Sequence, residues 1–143
     1  MIDVACAIIL RPDGMALAAR RGPNMRLPGR WEFPGGKLEP GETSGQALGR
    51  EIEEELGIGI RLLRALTVVE HHYPDFSIRL HPWICEITRG EPKPIEHGEI
   101  RWVDASALPG LDWAAADLPV VDTLLELARA PGEEPNLRRA LGR

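Results

Sequence analysis

The chain has 143 residues, 43% of them hydrophobic, and a formal net charge of −5. That length and apolar content suffice for one buried core, while the acidity argues against the basic face that duplex nucleic-acid recognition normally requires. The opening MIDVACAIIL is too short and lacks the basic start of a secretory signal. No apolar run approaches a membrane span, so a cytoplasmic location and no membrane partner are expected. Cys6 and Cys85 stand far apart without paired spacing and read as buried thiols of a reducing compartment.

Val4–Leu10 is an apolar, β-branched run, Arg11-Pro12-Asp13-Gly14 carries turn chemistry, and Met15–Ala19 returns as a second strand, which together predict a hairpin. A Pro/Gly-rich connection, Gly22–Arg30, leads to Trp31-Glu32-Phe33-Pro34-Gly35-Gly36, a short expected strand. Thr43 or Ser44 can cap a helix that Gly57 stops. Strands are expected at Ile60–Glu70, Phe76–Thr88 and Glu99–Val103, with a turn at His71–Asp75 and loop-like sequence at Arg89–Gly98. Pro82 inside the long strand predicts an edge or a bulge. The segment Asp104–Asp117 reads as irregular, and a final helix, Leu118–Ala130, presents Val120, Val121, Leu124, Leu125 and Ala128 as its apolar face. Residues 1–130 read as a single domain. Residues 131–143 read as a polar, frayed tail in which Leu137 and Leu141 are the candidates for docking. Strands before, between and after two helices indicate a mixed sheet packed between helices.

The helix beginning near Thr43 carries the chemistry. At roughly 100° per residue, Glu51, Glu54 and Glu55 fall on one face, beside an apolar stripe of Leu48, Ile52 and Leu56. Three carboxylates so spaced repel one another unless a cation sits among them, and oxygen-only ligands of high charge suit Mg²⁺ or Mn²⁺. Glu53 falls on the far side and reads as solvated. The stretch Gly36–Ile58 fits G-x5-E-x7-R-E-U-x-E-E-x-G-U without a gap, U being bulky aliphatic. Gly36, Glu42, Arg50, Glu51, Ile52, Glu54, Glu55, Gly57 and Ile58 hold the specified positions.

This pattern resembles the signature box of the Nudix hydrolases, which implies an α/β/α sandwich. The segment before the box, the pair Arg20-Arg21, the residues Gly90-Glu91-Pro92, Glu96 and Trp102, and Ala116-Asp117-Leu118-Pro119 are similar to the MutT-type branch. That resemblance implies Mg²⁺-dependent hydrolysis of a nucleoside triphosphate to the monophosphate and pyrophosphate, with 8-oxo-dGTP as the substrate expected first. It implies Glu51, Glu54, Glu55, Glu96 and the Gly36 carbonyl as metal ligands, and Glu51 or Glu96 as the general base. Arg50 would orient a carboxylate by a bidentate pair, and Glu42 would anchor the loop or act as an outer ligand, with Gly57 ending the helix. Lys37 would meet a phosphate, and Arg21, Phe33 and Asp117 would contact the nucleotide.

Two positions depart from the MutT pattern: Asp117 stands where asparagine is found and Phe76 where arginine is found. An ionised aspartate only accepts hydrogen bonds, which suits an amino group such as cytosine N4 or the guanine N1/N2 edge, whereas a protonated, buried aspartate could also donate. Leu80-His81-Pro82-Trp83 and Glu96-His97 look more like the (d)CTP pyrophosphohydrolases, the second expectation for substrate. A nucleoside-diphosphate-sugar hydrolase and a non-catalytic sensor module are the remaining readings. Asp117 also lies where a helix N-cap belongs, and Arg21 could pair with a purine, stack on a base or sit solvated. His97 reads as a surface or packing residue, and His71, His72 and His81 are assigned no chemistry. A monomer or homodimer is expected.

Overall fold

The computed structural model describes residues 1–142; Arg143, the last residue of the expected tail, lies outside the described residues. Strand β1 (Ile2–Ile9) is apolar and fully buried from Ala5 onward, where both its faces are covered. Ala5, Ala7 and Ile9 pack with the helix α1 (Ser44–Leu56), while Cys6 and Ile8 pack with the helix α2 (Leu118–Ala128). β1 runs parallel to β7 (Ser77–Arg89) and antiparallel to β4 (Gly35–Lys37). β5 (Gly59–Ala65) and β6 (Val69–His72) line the other side of β7, both antiparallel to it. This mixed five-stranded sheet, with a helix on each face, is the expected sandwich.

The expected hairpin opens into two sheets. β2 (Ala16–Arg20) leaves β1 after a single Leu10–Ala16 bridge and pairs instead with β3 (Trp31–Glu32) and β8 (Glu99–Val103) in a three-stranded antiparallel sheet. Leu10, Ala16 and Ala18 are buried at the corner, so the turn chemistry was read correctly but the pairing was not. The strand expected across Trp31–Gly36 breaks at Phe33-Pro34 for the same reason, since β3 and β4 belong to different sheets.

Pro82 is not on an edge. It sits within β7, where the missing N–H faces the gap between β5 and β6, and its carbonyl accepts from Leu66 N–H at 2.9 Å. The strand expected at Ile60–Glu70 is therefore two strands, with a bulge between Leu62 and Arg64. The tail expected to fray is docked: residues 137–141 form a 3₁₀ turn, with Leu137 and Ala140 fully buried in the core beside α2.

Helix α1 starts as its sequence dictates. Thr43 Oγ1 accepts from Gln46 N–H at 3.1 Å and Gln46 Oε1 accepts from Thr43 N–H at 3.0 Å, a reciprocal capping box. Ser44 instead accepts from Trp83 Nε1 at 3.0 Å. Leu48, Ile52 and Leu56 are fully buried, each contributing roughly 1.5–3 kcal/mol. Gly57 ends the helix at φ 71°, in the left-handed region that favours glycine. The freed carbonyls of Glu55 and Leu56 accept from Ile95 and Lys93 N–H, which fastens residues 90–98 to the end of α1.

Candidate active site

Within the box, Arg50 is the hub. Its Nε and Nη2 bond the two carboxylate oxygens of Glu42 at 2.9 and 2.8 Å, a bidentate pair. Nη2 also reaches the Lys37 carbonyl at 3.1 Å, and Nη1 donates to Glu51 at 2.8 Å. The guanidinium holds the Glu42 carboxyl at about 2, well below the ordinary range, helped by the Glu39 N–H. Glu42 thus ties the loop before α1 to the helix. Glu54 is more than half exposed and 3.6 Å from Arg50, while Glu53 pairs with Arg89 on the far side.

Glu55 is the buried member of the set and accepts from Gly35 N–H at 3.2 Å. Burial first, then the charges of Glu32, Glu51 and Glu96, push its carboxyl up to about 9. Gly35 and Gly36 allow this crowding. A Cβ on Gly35 would collide with the Ala5 carbonyl, and one on Gly36 with the Glu51 carboxylate.

Glu96 is exposed, on the loop fastened to α1, and makes no hydrogen bond among the described residues. Its neighbour His97, expected as a surface or packing residue, is a buried one. Its side chain is fully buried and its Nε2 lies 2.7 Å from Glu32 Oε2. The other oxygen of Glu32 accepts from Arg21 Nη1 at 2.6 Å. Arg21 is therefore not left solvated; it is paired to Glu32 and also bonds the Arg26 carbonyl. The sequence signal for Glu32 was a carboxylate between two buried aromatics, Trp31 and Phe33.

A cavity of about 360 Å³ opens beside this network and is lined by Arg21, Glu32, Phe33, Lys37, Glu55 and Asp117, among others. Phe33 stacks at a tilt on Trp113, centroids 4.7 Å apart, and Tyr73 on Phe76, 4.8 Å apart. Tyr73, unassigned from sequence, fixes the other wall by accepting Ala116 N–H at 3.0 Å. Asp117 stands at the N-cap position of α2 but makes no side-chain cap. Instead its Oδ1 accepts from Phe33 N–H at 2.9 Å. Burial, and then the charge of Glu32, raise its carboxyl well above the ordinary range, which favours the protonated form. Protonated, it could also donate from its second oxygen, the alternative to accept-only chemistry.

The arrangement joins an oxygen-rich, negatively charged face to a half-apolar cavity. The carboxylates that gather there have too little positive charge nearby, which is the condition a divalent cation satisfies. Among the described residues no three side chains already converge to metal-ligand geometry. Glu51 is turned to Arg50 and Glu55 to Gly35, the separation that mutual repulsion favours. No helix of the described residues is long and apolar enough to cross a membrane.

Comparison with known proteins gives the same reading. The NUDIX domain family model matches residues 5–123. The 8-oxo-dGTP diphosphatase of Escherichia coli is 33% identical over 88% of this chain and 98% of its own. The CTP pyrophosphohydrolase of the same organism is 35% identical over 91% of this chain and 96% of its own. The solution structure of the E. coli ORF135 protein superposes with a TM-score of 0.78 at 34% identity, covering 94% of this chain and 95% of that one. Members of the family generally need a divalent metal ion. Matched over most of its length, with every position of the signature box filled, this chain belongs to the Nudix hydrolase family.

Proposed function

We propose that the chain is a Mg²⁺-dependent nucleoside triphosphate pyrophosphohydrolase that clears 8-oxo-dGTP from the nucleotide pool in the cytoplasm, Mn²⁺ being the alternative ion. The observation that carries this reading is continuity: Glu55 of the box and Asp117 at the head of α2 line one cavity. A nucleotide spanning it would have its base among Phe33, Tyr73 and Asp117 and its phosphates toward Lys37 and the carboxylates of α1. The resemblance of the box and the names of the relatives support the same chemistry.

Glu51, Glu54, Glu55, Glu96 and the Gly36 carbonyl would hold the divalent ion. Bound there, it would neutralise phosphate oxygens and lower the pKa of a water. Arg50 keeps Glu51 and Glu42 in register, and Lys37 meets a phosphate. Glu51 already shares an oxygen with Arg50, whereas Glu96 makes no hydrogen bond among the described residues, so we assign Glu96 as the base that takes the proton from the attacking water.

A neutral Asp117, with one oxygen held by Phe33 N–H, offers an O–H to a carbonyl such as O6 of an oxidised guanine. That gives it the donor an asparagine would supply. The second reading is hydrolysis of CTP or dCTP, favoured by Phe76 standing where the MutT pattern has arginine, and by the CTP pyrophosphohydrolase relative. The test is kcat/KM with Mg²⁺ on 8-oxo-dGTP, dGTP, dCTP and 5-methyl-dCTP, with pyrophosphate detected. A clear preference for 8-oxo-dGTP is expected. Preference for cytosine nucleotides would replace it with the second reading, and failure to release pyrophosphate from any of them would overturn both.

A further inference from the structure

The buried imidazole of His97 takes no part in the chemistry assigned above, yet it has a defined partner. Its side chain is fully buried, Nε2 lies 2.7 Å from Glu32 Oε2, and Nδ1 has no partner among the described residues. A buried polar atom left unpaired carries the cost of its lost hydration. An apolar side chain would fill the same space without that cost, so packing does not account for an imidazole here. The bond to Glu32 does.

Glu32 stands at a junction. On one side it holds Arg21 at the wall of the cavity; on the other it holds His97, the residue next to Glu96. The loop carrying Glu96 is fastened at two further places. Lys93 and Ile95 N–H bond the last carbonyls of α1, and Gly98 N–H bonds the Arg20 carbonyl at 3.0 Å. Between those backbone ties, the His97–Glu32 bond is the only side-chain hydrogen bond among the described residues that holds residues 95–98. Gly22 meets the same loop closely, for a Cβ there would lie 3.2 Å from the Glu96 carbonyl.

We propose that His97 is a positioning residue for the reaction. By its bond to Glu32 it fixes the 95–98 loop so that Glu96 is presented to the carboxylate face of α1, and it links that presentation to the cavity wall through Arg21. The proposal rests on the reading of Glu96 as metal ligand or base. Because His97 touches neither substrate nor metal in this scheme, its loss acts on turnover and on metal affinity, and less on nucleotide affinity.

The test compares His97→Phe, His97→Gln and Glu96→Gln in the full chain. Readouts are kcat, KM and Mn²⁺ affinity measured directly by electron paramagnetic resonance, with near-ultraviolet circular dichroism as the check on folding. His97→Phe keeps the buried volume and removes the bond. A loss of about 10–100-fold in kcat or Mn²⁺ affinity is expected, with KM little changed. His97→Gln, whose amide can take the place of Nε2, is expected to recover most of the loss. Equal defects in the Phe and Gln variants overturn the proposal, as does a His97→Phe protein with normal kcat and Mn²⁺ affinity beside an impaired Glu96→Gln. A normal Glu96→Gln overturns the reading of Glu96, and with it the role of His97. If His97→Phe does not fold, the cycle of His97→Leu with Glu32→Gln decides: coupled losses support the bond, and additive ones overturn it.

Discussion

Asp117 Oδ1 accepts the backbone N–H of Phe33 at 2.9 Å, joining the head of α2 to a turn 84 positions earlier. The residue placed to cap a helix spends its hydrogen bond on the opposite wall of the cavity. Asp117→Asn preserves the shape and the acceptor, so it is expected to fold and to change the ranking of bases more than the rate on the best substrate. A ranking identical to the parent's, measured as kcat/KM over the four nucleotides, would leave Asp117 a structural tie only.

The same carboxyl gives a pH signature. Its folded-state value is raised, so above the ordinary value near 3.8 the folded chain keeps a proton that the unfolded chain has lost. By linkage its contribution to stability is most favourable below that value and declines as pH rises toward the folded-state value. Asp117→Asn is expected to remove this part of the slope in Tm as pH rises above about 3.8; parallel Tm profiles for the two proteins would contradict it.

Glu54→Gln separates chemistry from folding. Glu54 is more than half exposed, so the change should alter stability by less than about 0.5 kcal/mol. Loss of a preorganised charge at the reacting phosphates should lower kcat about 100-fold or more. Chelation should abolish turnover in the parent and Mg²⁺ should restore it. A Glu54→Gln protein with near-normal Mg²⁺-dependent turnover would sink the metal assignment.

The two glycines before the box should fail differently. Gly35→Ala drives a methyl group into the Ala5 carbonyl of β1, backbone that cannot step aside, so a large drop in Tm or loss of folded protein is expected. Gly36→Ala meets the Glu51 side chain, which can rotate away, so the protein should fold with strongly reduced kcat. Equal thermal stability and equal activity in the two variants would contradict this division.

Glu42 gives an acid limb. Its carboxyl is held at about 2 in the folded chain by Arg50, against an ordinary 4.5. Its contribution is therefore fully present above about 4.5 and lost as pH falls through about 2. Glu42→Gln should flatten the fall in Tm across that window; an unchanged acid limb would mean the pair contributes nothing measurable.

The box was legible because its logic is local. A cap, a 3.6-residue period and three carboxylates on one face all lie within 23 consecutive residues. What escaped depends on partners distant in sequence. The Pro/Asp/Gly turn after β1 was correctly seen, but nothing nearby says that the two strands separate into different sheets. Pro82 reads as an edge or a bulge; it lies on no edge, and its tolerance depends on a break in a neighbouring strand some fifteen residues earlier. His97 looked ordinary because its partner, Glu32, lies 65 positions away. Ala140 lies in a polar stretch whose apolar face appears only against α2, where the docking candidate Leu137 is buried as well.

β1 alternates between the two cores, Ala5, Ala7 and Ile9 on one side and Cys6, Ile8 and Leu10 on the other. It also sets Cys6 against Gly35 and lets Cys6 form part of the cavity. A slip of one residue in its pairing would exchange the two sets wholesale, putting the small alanines on the α2 side and bulkier groups under α1. The recognition and hydrolytic halves of the pocket therefore share one ruler, and neither can be re-spaced by evolution without re-spacing the other. New base preferences are expected to arise from the loops around the cavity, while β1 itself stays fixed in register.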